Sequence, residues 1–143
     1  MAKILFGGPQ EQERDNPPHV HDDLISRLGQ EGHKVDYIVR GDEMLSCLMM
    51  NNPAHPIKRE RYGLIFYDTD FFYDHTEPKQ KVELFRSFTT SALKIAEAPV
   101  IVLAEENIAG LIADMVKEAG LKQINQPYDI EEVVKEAHKI LSK

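Results

Sequence analysis

Residues 62–72 read YGLIFYDTDFF, the most informative stretch of this chain. Four largely apolar residues, 64–67, run directly into Asp68, and Asp70 follows two positions later. A short apolar run that stops at turn-forming residues is typical of a buried strand in a parallel sheet. Open α/β sheets bind ligands and carry out reactions just outside the carboxyl ends of their strands. Asp68 is therefore either an ordinary strand end or a member of a reaction centre.

The composition is that of an ordinary globular protein. The chain has 143 residues, of which 42% are hydrophobic and 29% charged, and this predicts one domain with a single core over residues 1–143. The net charge of −7 argues against general nucleic-acid binding. No apolar run approaches the roughly 20 residues needed to cross a membrane. The only cysteine, Cys47, indicates a reducing compartment. We expect a cytoplasmic protein that binds neither nucleic acid nor a membrane.

Strand-like runs alternate with helical patterns along the whole chain. Besides residues 64–67, strands are predicted at residues 3–6, 35–39, 100–103 and 123–125, each followed by a helical pattern. Strict alternation predicts a parallel sheet with helices on both faces, joined by right-handed crossovers. For a chain of this length we expect a flavodoxin-like three-layer α/β sandwich with five parallel strands in the order 2-1-3-4-5 and five helices.

Three motifs, in this order and at this spacing, resemble the receiver domain of bacterial two-component response regulators, the CheY-like family. They are YGLIFYD at 62–68, APVIVLA at 98–104, and EAG at 118–120 followed by QPYDIEEVV at 126–134. The resemblance covers essentially the whole chain. It implies a signalling role and places Asp68 at the phospho-accepting aspartate of the family.

The resemblance also implies a set of partner residues, and this chain departs from the set. In the family, carboxylates after the first strand hold Mg²⁺; Gly8 and Pro9 stand at those positions here. A lysine precedes the proline after the fifth strand, and Gln126 replaces it. A hydroxyl ends the fourth strand, and Ala104 replaces it. A glutamine supplies no cation, and an alanine has no hydrogen-bond donor.

These departures favour a degenerate receiver, a pseudo-receiver. Phosphorylation of Asp68 would add close to two negative charges beside Asp70, with no lysine and no metal cage to compensate for them. We therefore expect an interaction module that is not an enzyme and that holds no metal and no cofactor.

Two alternatives stay open. The chain could be a phospho-accepting receiver that uses Asp68 with a rearranged metal site, built from Asp70 and from Glu11, Glu13 and Asp15 of the first loop. It could also be a flavodoxin-like domain that binds a small molecule or cofactor. A solvated acidic loop is the simpler interpretation of the three loop carboxylates.

The segment HVHDD, residues 19–23, invites a metal interpretation through His19 and His21. It opens a predicted helix, where side chains two positions apart diverge. The favoured interpretation is a helix start whose acidic residues, Asp22 and Asp23, complement the helix dipole.

An aromatic run, Phe71-Phe72-Tyr73, follows the central strand. The rings could cover the pocket whose acidic residues are missing, or form a patch that a protein partner or a second copy covers. We expect a protein partner in a signalling pathway and allow for a homodimer through the last two predicted helices.

Overall fold

A parallel sheet of five strands, in the order β2-β1-β3-β4-β5, forms the centre of the computed structural model, which describes residues 2–9, 21–57, 60–71 and 77–142. The strands are β1 (Lys3–Gly7), β2 (Lys34–Ile38), β3 (Leu64–Asp68), β4 (Val100–Ala104) and β5 (Lys122–Asn125). The predicted sheet and strand order are confirmed.

Helices cover both faces of the sheet. They are α1 (Asp22–Gln30), α2 (Gly41–Met50), α3 (Pro78–Thr90), α4 (Ala92–Ala96), α5 (Glu106–Glu118) and α6 (Ile130–Leu141). Helices α1 and α6 pack on one face, and α2 to α5 pack on the other. Within the described ranges, no helix is long and apolar enough to cross a membrane.

Every residue of β3 and β4 is buried, because their side chains alternate between two apolar layers. In β3, Ile65 and Tyr67 face the layer under α2 to α5, whereas Leu64 and Phe66 face the layer under α1 and α6. Asp68, at the end of β3, is therefore anchored by a strand that packs on both sides.

The described part of the chain has six helices where the sequence predicted five, because Ser91 separates α3 from α4. The Ser91 hydroxyl donates to the Ser87 carbonyl at 2.7 Å, and the Thr90 hydroxyl donates to the Arg86 carbonyl at 3.0 Å. Such side-chain bonds compete with the helical main-chain bonds and favour an end or a bend. The prediction of one continuous helix was wrong for this local reason.

Candidate functional site

The carboxyl ends of the central strands meet at one edge of the sheet. In the register, Asp68 pairs with Leu103, and Ala104 pairs with Asn125. The residue that follows β5, Gln126, donates from its main-chain amide to the Ala104 carbonyl at 2.8 Å. Asp68, Ala104 and Gln126, which were singled out from the sequence, thus lie at the same edge of the sheet.

Asp68 lies at the centre of this edge, and both of its carboxylate oxygens have hydrogen-bond partners. Its Oδ1 accepts from the main-chain amide of Asp70 at 2.7 Å and from Nε2 of Gln126 at 3.2 Å. Its Oδ2 lies 2.5 Å from Nε2 of His21. With 1% of its surface exposed, Asp68 is enclosed by protein. The bond to the Asp70 amide is a typical aspartate turn, and it is only one part of the role of Asp68.

His21 is the partner that sequence reasoning missed. It is fully buried, and its ring lies between Phe6, at 4.8 Å between centroids, and Tyr128, at 5.8 Å with the planes nearly parallel. Its Nδ1 lies 2.6 Å from the Tyr128 hydroxyl, while Nε2 faces Asp68. Helix α1 begins at Asp22, within the segment 19–23 that was predicted to open a helix, but His21 just before it closes the pocket. His19 lies outside the described residues.

Tyr37 of β2 occupies the space beside Gly8, one of the positions where the family has an acidic residue. A Cβ atom on Gly8 would lie 2.4 Å from the Tyr37 hydroxyl oxygen, too close for any side chain without displacement of the ring. The hydroxyl donates to the Pro9 carbonyl at 2.6 Å. Burial, reinforced by the negative charge of Asp68, raises the pKa of Tyr37, so the phenol stays protonated.

A lysine does lie at the pocket, contrary to the expectation that Asp70 has no cation beside it. Lys81 comes from α3, with 7% of its side chain exposed. Its Nζ donates to Oδ1 of Asp70 at 2.6 Å and to Oε1 and Oε2 of Glu105 at 3.0 and 3.2 Å. Burial by itself would lower the pKa of Lys81, but the bonds to the two carboxylates outweigh it, and the pKa is raised.

A hydroxyl lies near the end of β4, although Ala104 itself is buried and has none. It belongs to Thr69, which is 3% exposed and accepts from the main-chain amide of Glu105 at 3.0 Å. This hydroxyl comes from the turn after β3, so an alignment to the fourth strand does not reveal it.

Phe71 lies in the core, so the expected interaction surface is corrected at this residue. It is 1% exposed and packs against Tyr67 and Phe88, at 5.9 and 6.1 Å between ring centroids. The main-chain amide of Phe71 donates to the Asp68 carbonyl at 2.9 Å, and this bond closes the turn after β3. Phe72 and Tyr73 lie outside the described residues, and the prediction for them stands untested.

The pocket does not fit the Mg²⁺ ion that the fold implies. Asp68 is bonded to His21 and Gln126, while Asp70 and Glu105 are ion-paired with Lys81. Among the residues that the structure describes, no three His, Cys, Asp or Glu side chains are grouped to hold a metal ion. Magnesium needs several oxygen ligands in near-octahedral geometry, and both oxygens of Asp68, both of Glu105 and Oδ1 of Asp70 already have other partners. The loop carboxylates Glu11, Glu13 and Asp15 lie outside the described ranges.

An open cleft of ≈ 440 Å³ lies beside the same edge, next to Gln126 and Tyr128. Its carboxylates include Asp23 and Glu106, each in the first turn of a helix. Acidic residues at these places complement the helix dipole. These two carboxylates therefore have a role in their helices without a ligand in the cleft.

Comparison with solved structures identifies the class of this fold, although no protein-family model and no curated protein matches the chain. The chain is similar to the inactive form of the regulatory domain of the repressor of iron transport regulator, RitR, with a TM-score of 0.67 and 18% identity over 99% of this chain and 96% of that one. It is similar to the receiver domain of the Francisella response regulator 1452, with a TM-score of 0.64 and 15% identity over 99% and 98% of the two chains. It is also similar to a response regulator receiver protein from Burkholderia phymatum, with a TM-score of 0.61 and 17% identity over 99% and 96%. The chain has the flavodoxin-like fold of response-regulator receiver domains.

Proposed function

We propose that this chain is a receiver-fold signalling module, of bacterial and cytoplasmic type, that acts by binding a protein partner and not by catalysis. In this proposal, Mg²⁺-dependent phosphorylation of Asp68 plays no part. The observation that carries the proposal is the closure of Asp68, which is 1% exposed with its Oδ2 held by His21 at 2.5 Å.

The burial and hydrogen bonding of Asp68 matter because phosphoryl transfer to an aspartate needs a free carboxylate oxygen and positive charge to compensate for the incoming phosphoryl group. Here Oδ1 has two donors and Oδ2 has one, and hydrogen bonds to charged groups are worth about 1.5–3 kcal/mol each. A phosphoryl group would have to break such bonds and would bring close to two negative charges next to Asp70. Lys81, which comes to this edge from α3, is already bound to two carboxylates.

The side chains around Asp68 also replace the parts that phosphorylation would use. Gln126, which stands where the family has a lysine, donates a neutral amide to Oδ1 at 3.2 Å. Tyr37 fills the space beside Gly8 where a metal-binding carboxylate would stand. The site is thus occupied by neutral or internally paired groups, which supports signalling that does not depend on phosphate.

The test is a phosphorylation experiment on the intact chain. The protein is incubated with Mg²⁺ and phosphoramidate, and its intact mass is measured beside a receiver domain known to accept phosphate under the same conditions. We expect an unchanged mass. Addition of one phosphoryl group that is absent from the Asp68→Asn variant would sink the proposal and would favour the phospho-accepting alternative.

The interaction part of the proposal has its own measurement. Because the state of the pocket is fixed by side chains, any association should be independent of phosphodonor. Sedimentation equilibrium of the wild-type protein, with and without Mg²⁺ and phosphoramidate, tests this for a homodimer. The same association constant in both conditions is expected, and a dimer that forms only with the phosphodonor would contradict the proposal.

A further inference from the structure

A single ammonium group joins two loops at the carboxyl edge of the sheet. Asp70 lies in the turn between β3 and α3, and Glu105 lies between β4 and α5. Lys81 reaches both from the inner side of α3, with 7% of its side chain exposed. A lysine ammonium has three N–H donors, and three carboxylate oxygens lie within 3.2 Å of this one. Its hydrogen-bonding capacity is therefore filled.

The same two loops are joined a second time through Thr69. Its hydroxyl accepts from the main-chain amide of Glu105 at 3.0 Å, and its own main-chain amide donates to the Leu103 carbonyl at 3.1 Å. Thr69 is 3% exposed, so this connection is shielded from solvent. The turn after β3 and the segment that leads into α5 are thus tied at several points.

Stability alone does not explain a charged residue at this place. Lys81 and Phe85, four residues apart, are the buried residues of α3, so Lys81 lies on the apolar stripe of the helix. An apolar side chain there would avoid the cost of removing a charge from water, and such replacements of buried ion pairs are often neutral or stabilising. The presence of the buried Lys81 ammonium is explained if it holds Asp70 and Glu105 in one relative arrangement.

We propose that Lys81 serves as an internal substitute for a divalent cation and holds Asp70, in the turn after β3, and Glu105, before α5, together, so that the start of α5 is presented in one conformation. A divalent cation in a carboxylate pocket joins oxygen ligands from several loops, and here the ammonium does this with Asp70 and Glu105. This inference rests on the proposed function, in which the site works without Mg²⁺, and extends it by naming the group that holds the two segments in place of the metal ion.

The test compares local opening in two variants and one control. Lys81→Met removes the charge with little change of length, and Glu105→Gln removes one acceptor charge while keeping a polar side chain. The control is Lys117→Met, in the last turn of α5. Native-state hydrogen exchange of the main-chain amide at position 105, expressed as a protection factor so that the intrinsic rate of each residue type is removed, reports on the loop. Exchange of the Leu5 amide reports on the core.

We expect the protection factor of the main-chain amide at position 105 to fall about tenfold in both variants, since a charge-assisted bond is lost, with the Leu5 amide and the control unchanged. If Lys81→Met does not fold, the result for Glu105→Gln decides whether the inference holds. An unchanged protection factor at position 105 in the folded variants would overturn the inference. Because exchange reads the loops directly, it can fail or succeed independently of the phosphorylation experiment.

Vacating the ammonium position gives a second measurement. In Lys81→Ala, Asp70 and Glu105 face each other without a cation, and Mn²⁺ added in place of EDTA should raise the Tm of this variant but not that of the wild type. Equal shifts in the two proteins, or none in the variant, would count against the substitution of a metal ion by Lys81.

Discussion

Replacement of His21 by leucine tests the energetic basis of the closed site. The imidazole is fully buried, and the side chain of its partner Asp68 is 2% exposed. Removal of His21 leaves Oδ2 of the buried Asp68 carboxyl without its hydrogen-bond partner, and an unsatisfied buried acceptor typically costs about 1–3 kcal/mol. Asp68 keeps the Asp70 amide and the Gln126 side chain in His21→Leu. We therefore expect the free energy of unfolding to fall by about 2 kcal/mol, the middle of that range.

Urea unfolding followed by circular dichroism measures this loss. In the double variant His21→Leu/Asp68→Leu neither member of the pair is left without its partner, so its cost should be clearly smaller than the sum of the two single variants. The matched control is Arg86→Ala, which removes the exposed i,i+3 pair with Glu83 and should cost at most about 0.5 kcal/mol. A cost below about 1 kcal/mol for His21→Leu, or additive single effects, would refute the reasoning.

Two further predictions follow from the structure. Gly8→Ala should lower the free energy of unfolding by about 1–3 kcal/mol, because its Cβ atom would lie 2.4 Å from the Tyr37 hydroxyl oxygen. Gly110→Ala, whose Cβ atom would meet nothing within 4 Å, should raise the free energy of unfolding by about 0.5–1 kcal/mol, because alanine favours a helix more than glycine does. Equal effects of the two variants in urea unfolding would contradict this. Burial, and secondarily His138, lowers the pKa of His33 below its ordinary 6.5, so the unfolded chain binds protons more readily and stability falls as the pH drops below 6.5. His33→Gln should flatten this fall, and identical slopes of stability against pH in variant and wild type would count against it.

Much of the fold was predictable because it depends on local patterns. The apolar run before Asp68 and the alternation of strands with helices indicate a parallel sheet, and chirality leaves few strand orders. The break at Ser91 was not predicted, since hydroxyls in a helical stripe are compatible with a helix interior as well as with its end.

The site was only half predictable. The resemblance to receiver domains singled out Gln126 and Ala104 together with Asp68, and the structure brings the ends of their strands to one edge. His21 lies 47 residues from Asp68 in sequence and was weighed as a metal ligand and as part of a helix start, but not as a partner of Asp68. Lys81 did leave a signal, a charged residue four positions before Phe85 on the apolar stripe of its helix. Its two carboxylate partners become neighbours only in the folded chain.

The closed state of Asp68 is tested most directly by NMR of the protein with ¹⁵N-labelled histidine, before and after addition of Mg²⁺ and beryllofluoride, a mimic of the phosphoryl group. The account predicts a strongly downfield proton on Nε2 of His21, from the 2.5 Å bond to Asp68, and no change of the His21 signals on addition. Movement of these signals in the wild type, abolished by Asp68→Asn, would contradict it.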